Sequence, residues 1–152
     1  MRFFSFSIVT LSLLLSPMAM ADDPMEKAVD TRGAYFTLLG ANLGPLAAMA
    51  KGKMPHDQAT AVSHGANLEA LAGYDASIHF PKGSSLDDLG DDTEAKAKIW
   101  SNWDDFAKKF TAFQKAAKNA GKDVEGGREQ VGTVVRRMGK TCKSCHDQYR
   151  KK

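Results

Sequence analysis

The sequence predicts an all-α protein, an antiparallel up-down-up-down four-helix bundle whose cofactor site lies near the C-terminal end. Three observations lead there. Apolar residues recur at alternating steps of three and four along most of the chain, strand-like alternation is scarce, and Cys142-Lys143-Ser144-Cys145-His146 closes the sequence. At 152 residues the chain has room for one domain with a real core.

The first residues are set apart from that core. Arg2 gives a short positive start, residues 3–15 are almost wholly apolar, and Ala19-Met20-Ala21 offers small residues where a signal peptidase reads. This is the layout of a secretory signal peptide, and the apolar run is too short for a membrane span. The expectation is a cleaved leader at 1–21, a mature domain at 22–152, a periplasmic location and no membrane insertion after cleavage.

The first helix is expected from residue 25 to about 50, with a seam of Val29, Arg32, Phe36, Leu39, Leu43 and Leu46 and a possible kink at Gly44-Pro45. A break at 51–55 follows, and Pro55 suits the first turn of a second helix at roughly 56–73, carrying Ala61, Leu68 and Leu71. Residues 74–92 read as a long connection. Asp92, Thr93 and Glu94 offer capping groups for a third helix, whose seam runs Ile99, Trp103, Phe106, Phe110, Phe113, Ala117 and Ala120 until Gly121 ends it. A fourth helix at about 124–150 places Val124, Val131, Val135, Met138, Cys142, Cys145 and Tyr149 on one stripe, both cysteines toward the core.

Two cysteines three residues apart, the second followed directly by His146, point to thioether attachment of one haem c per chain. A thioredoxin-like C-x-x-C belongs early in a βαβ unit, and a zinc site needs four ligands; neither context is present. His146 then binds iron on one face. In an up-down-up-down bundle the end of the fourth helix meets the start of the first, the second connection and the start of the third. The residues placed to meet the haem are therefore Arg32, Phe36, the loop around Phe80, and 94–103. Phe36 has no lone pair, so it would cover the iron rather than bind it, leaving a five-coordinate, high-spin centre. A charge on a seam position needs a partner, and a haem propionate would supply one for Arg32, the alternative being a snorkelling surface arginine. His79 is the other candidate for a sixth ligand. Met138 shares a helix with His146 and cannot reach the opposite face. Arg150 falls one turn after His146 and would flank its imidazole, or else serve the helix dipole.

The formal charge of +3 includes Arg2; without it 20 cations face 18 anions, and no basic stripe stands out, which argues against nucleic acid as a partner.

With these residues assembled, the chain resembles the cytochromes c′, the class II c-type cytochromes. The likeness rests on C-K-S-C-H-D-Q-Y-R at 142–150, F-P-K-G-S at 80–84, Ile99-Trp100, and Arg32 four residues before Phe36. The resemblance implies a homodimer packed through helices one and two and a five-coordinate haem with His146 as sole protein ligand. It also implies binding of NO and CO with little O₂. It further implies that Arg32 contacts a propionate, Phe36 shields the distal side, Arg150 flanks the proximal histidine, and Glu94 or Thr93 touches the haem. Two departures stand out. Gly33 replaces a polar side chain common in the family, and Phe36 is bulkier than an aliphatic residue. Six-coordinate relatives carry a Met near the Phe36 position, and its absence here favours the five-coordinate branch. The function expected is gas binding with single-electron transfer to an unknown redox partner, without enzymatic turnover. The alternative is a six-coordinate, low-spin electron carrier.

Overall fold

The computed structural model describes residues 23–152; the predicted leader at 1–21 lies outside them. Four long helices carry the fold: α1 (Pro24–Ala50), α2 (Gln58–Ala72), α3 (Trp103–Ala117) and α4 (Arg128–Tyr149). Helix α1 packs on α2 and α4, and α3 on α2 and α4, which closes the ring of an up-down-up-down bundle. No helix among the described residues is long and apolar enough to cross a membrane.

The first two long helices start for local reasons. Asp23 caps α1 by accepting from the amide of Met25 (2.9 Å), with Pro24 in the first turn. The helix then continues through Gly44-Pro45 as one element. Pro55 lies ahead of α2 rather than in its first turn, because Asp57 is the cap and accepts from the amide of Thr60 (2.7 Å). Hydrogen bonds from Thr60 hold the Asp57 carboxyl below its ordinary value. The stabilisation from this cap is therefore complete above the usual aspartate range near about 4 and fades as pH falls through the lowered value. Asp57→Ala is expected to lower the melting temperature at neutral pH and to converge on the wild type in acid. Asp57→Asn should keep the cap and lose its pH dependence. Melts at pH 7 and pH 3 check both.

The third helix departs most from expectation. Thr93 is extended (φ −145°, ψ 151°) and caps nothing; helical structure begins with a single turn at Lys98–Ser101, breaks at Asn102, and resumes at Trp103. Asn102 leaves the helix where its side-chain Nδ2 donates to the Tyr149 hydroxyl (3.1 Å). The helix also ends early, at Ala117. Ala120 and Gly121 belong to a separate turn, Ala120–Asp123, entered through Asn119 in the left-handed region (φ 59°). That turn lies backbone to backbone on α2, an approach that needs glycine on both sides. A Cβ on Gly65 would sit 2.6 Å from the Ala120 carbonyl oxygen, and one on Gly121 would sit 3.1 Å from the Ala66 nitrogen.

The connection at 74–92 contains short helical turns at Ala76–His79, Leu86–Leu89 and Gly90–Asp92. Helix α4 starts at Arg128, and its last predicted residue, Arg150, has already turned extended (φ −113°, ψ 141°). Ala95 and Arg150 form an antiparallel bridge, which pairs the residue after α4 with the segment before α3.

The main core gathers Leu46, Met49, Leu68, Phe113, Val131 and Met138 from all four helices. A smaller cluster of Phe80, Ile99, Phe106 and Tyr149 forms under the 80–106 segment. The single seam predicted for α1 is in fact two. Tyr35, Asn42, Leu46 and Met49 are buried, whereas Phe36 is 41% exposed. The hydroxyl of Tyr35 donates to the Leu71 carbonyl (3.1 Å), and the Asn42 side-chain oxygen accepts from Asn67 (3.0 Å) and from the Nδ1 of His64 (3.0 Å). Trp103, also assigned to the core, is 38% exposed.

Candidate functional site

The second stripe of α1 faces a cavity of about 630 Å³, within the range of cofactor pockets. On one wall α4 presents Met138, Cys142, Cys145 and His146; on the other α1 presents Arg32, Phe36, Leu39 and Leu43. Phe80, Thr93, Glu94 and Arg150 line it as well. Arg32, Phe36, Phe80, Thr93, Glu94, Cys142, Cys145, His146 and Arg150 thus meet at one cavity, whereas of 94–103 only Glu94, Ala95 and Ile99 reach it. His79 does not line it: its Nε2 is bonded to the Tyr74 hydroxyl (2.5 Å) and its ring stacks on Tyr74.

The spacing of Cys142 and Cys145 puts both thiols on one face of α4, half-buried. Burial raises both thiols, Cys145 to about 11. They are therefore neutral at ordinary pH, the opposite of the low thiol pKa that drives a redox C-x-x-C. Desolvation, and then the positive charge of Arg150, lower His146 below its ordinary value. That favours the neutral imidazole, the form that binds a metal.

Arg32 is not a snorkelling surface arginine, since it is only 4% exposed. Its terminal nitrogens donate to the Ser84 hydroxyl (2.6 Å) and carbonyl (2.5 Å), the Thr93 hydroxyl (2.6 Å) and the His79 carbonyl (3.3 Å), and its guanidinium lies over the Phe80 ring (5.0 Å). Burial lowers its pKa, yet a guanidinium stays charged. Sequence reasoning missed this clasp between α1 and the 79–93 segment; the Ser84 of F-P-K-G-S was its one visible sign.

Phe36 meets Tyr35 edge to face (centroids 5.3 Å) and Phe80 likewise (6.5 Å), which holds its ring at the cavity wall. Glu94, expected to serve as a helix cap or haem contact, is exposed at the rim and accepts from the Nε of Arg150 (2.5 Å). Arg150 reaches the cavity from extended backbone, not from the face of α4. The buried Tyr149 hydroxyl donates to Asp105 (2.6 Å), and burial with that carboxylate pushes it up to about 12. This network went unread because nothing in the local pattern marks it.

Two thiols and an imidazole on one helical turn, opening on a largely apolar cavity inside a four-helix bundle, fit a covalently held haem. They define a bundle-type c-type haem protein. The chain belongs to the cytochrome c′ family: the family's sequence model, described as cytochrome C′, matches residues 27–150. It is 42% identical over 145 residues to a cytochrome c′ of Cereibacter sphaeroides, covering 95% of this chain and 96% of that one. A solved cytochrome c′ from Rhodobacter Spheriodes aligns with a TM-score of 0.81 at 42% identity, covering 86% of this chain and 99% of that one. The nitric oxide complex of a mutant cytochrome c prime from Alcaligenes xylosoxidans aligns with a TM-score of 0.70 at 29% identity, over 84% and 97% of the two chains. The family's cofactor is haem c, covalently attached.

Proposed function

We propose that this chain is an exported, periplasmic, non-enzymatic haem protein that binds NO and CO and passes single electrons. Haem iron held by one imidazole supplies an open coordination position for neutral diatomic gases and one exchangeable electron. Cys142 and Cys145 would hold the group and His146 its iron. The Arg32 bonds all leave from terminal nitrogens, so its Nε–H is the group that would meet a propionate. The observation that carries the reading is the α1 wall. Phe36, Leu39 and Leu43 offer hydrocarbon opposite His146, while His79 is engaged by Tyr74 and Met138 lies on His146's own helix. Such a wall would exclude charged ligands and offers no acid–base group for peroxide chemistry. The nitric oxide complex of the Alcaligenes relative supports the same choice of gas.

The homodimer implied by resemblance would use α1 and α2. Its support here is an uncharged outward stripe on α1 with Ala34, Leu38 and Ala41 exposed.

An absorption spectrum of the purified holoprotein tests the reading. High-spin bands that shift on adding CO or NO to the reduced form are expected. Low-spin bands in both redox states, unmoved by either gas, would overturn it in favour of the six-coordinate electron carrier.

A further inference from the structure

Tyr149 lines the cavity and is only 2% exposed, yet it has no part in holding a haem or in the gas-binding reading. It lies three residues after His146, so its ring meets the same cavity at the last turn of α4. Its hydroxyl donates to the Asp105 carboxylate (2.6 Å) and accepts from the Asn102 Nδ2 (3.1 Å). The Asp105 side chain is 41% exposed, with the Lys109 ammonium 3.9 Å from the same oxygen, so this carboxylate reaches water as well as the phenol. Burial and that carboxylate push the phenol up to about 12, and it keeps its proton at ordinary pH. The Lys98 ammonium lies over the ring face, 5.8 Å from its centroid.

A phenol that has lost one electron is a strong acid, so its oxidation inside a protein needs an acceptor for the proton as well as one for the electron. Lys98 over the ring opposes a positive charge there, which ties loss of the electron to loss of the proton. Asp105 already accepts the hydrogen bond along which that proton would move, and water beyond Asp105 can carry it off. The other tyrosines lack this pairing. Tyr35 donates to the Leu71 carbonyl, which cannot keep a proton, and Tyr74 is bonded to His79; neither lines the cavity. A mere tie between α3 and α4 would need neither a solvent-connected acceptor nor a place on the cavity wall.

We propose that Tyr149 is a redox-active residue: when a hydroperoxide oxidises the haem, the Tyr149 phenol gives one electron to the haem site and its proton to Asp105. A hydroperoxide takes two electrons and two protons as its O–O bond breaks, leaving an alcohol and water, or two waters from hydrogen peroxide. One electron comes from the haem and the other from Tyr149, and the two protons are drawn from solvent. Breaking the Tyr149 O–H bond leaves a neutral phenoxyl radical, and its proton passes through Asp105 to solvent. The Phe36 wall holds no base to drive repeated turnover, so the step discharges stray oxidising equivalents rather than completing a catalytic cycle. It rests on the open coordination position argued above, which CO binding tests on its own.

The test mixes the ferric holoprotein with hydrogen peroxide, freezes samples at early times and records electron paramagnetic resonance spectra. A tyrosyl signal is expected in the wild type and in Tyr35→Phe. Tyr149→Phe should remove it and hasten bleaching of the haem absorbance. Asp105→Asn leaves the ring and its packing in place but cannot keep the proton. It should slow the signal's appearance roughly a hundredfold, the lower end of what a positioned base contributes. No tyrosyl signal in the wild type, an equal signal or equal bleaching in Tyr149→Phe, or an unslowed signal in Asp105→Asn would each overturn the proposal. A wild type whose reduced form binds no CO fails the gas-binding reading; one that binds CO and forms no tyrosyl radical fails this proposal alone.

Discussion

Phe36→Ala is expected to raise the rate of CO association with the reduced holoprotein by about tenfold or more, equivalent to removing roughly 1.4 kcal/mol of barrier. The side chain stands on the cavity wall opposite His146, and Tyr35 and Phe80 flank its ring edge to face at 5.3 and 6.5 Å. Those two rings border it and limit where it can turn, so an entering ligand has to displace it along the wall. Alanine removes the ring and leaves the helix intact, because it is the best helix former and position 36 lies mid-way along α1. Phe36→Leu should fall between the two. Flash photolysis of the CO complex measures the rate directly. A rate unchanged in Phe36→Ala would mean that another group guards the iron.

The largest stability effect is expected away from the cavity, at Gly65. Its added Cβ would meet the Ala120 carbonyl oxygen at 2.6 Å, the Ala120 carbonyl carbon at 2.9 Å and the Gly121 Cα at 2.9 Å. All three are backbone atoms, so relief requires moving the Ala120–Asp123 turn off α2 rather than turning a side chain. Overpacking of this kind costs about 1–3 kcal/mol, and the gain of up to about 1 kcal/mol in helix propensity does not offset its upper range. Gly65→Ala should therefore lower the melting temperature by several degrees. Gly139→Ala is the matched control: it also sits within a long helix, but its Cβ would meet nothing within 4 Å, so propensity alone should make it neutral or stabilising. Equal melting temperatures for Gly65→Ala and the wild type would show that the turn yields freely.

Much of this molecule was legible in the sequence, and the reason is physical. A bundle buries helix stripes, and stripes are periodic, so Leu46, Leu68, Val131 and Met138 announce themselves. The thiol pair and His146 are legible because thioether attachment demands a fixed local spacing. What stayed hidden depends on long-range contacts that leave no local trace. Helix α3 begins late, where Asn102 turns away to the Tyr149 hydroxyl, 47 residues on, so the caps assigned to Asp92 and Thr93 were plausible but misplaced. A single seam through Phe36 leaves out the buried Tyr35, because a helix with two neighbours has two stripes, one on the core and one on the cavity. Arg32 was recognised as a charge needing a partner, yet its hydroxyl and carbonyl partners lie more than 45 residues away.

Both tryptophans of the chain sit at one end of the molecule. Trp100 donates to the Phe80 carbonyl (3.0 Å), and Trp103 leans on Phe106, whose ring lines the cavity. A haem in that cavity would absorb strongly in the near ultraviolet, where indole emits, so energy would pass to it over such short separations faster than light escapes. The folded holoprotein is consequently expected to be nearly dark under ultraviolet excitation. Brightness returns only as the third helix parts from the pigment, which gives this chain an optical reporter of its own unfolding without any added dye.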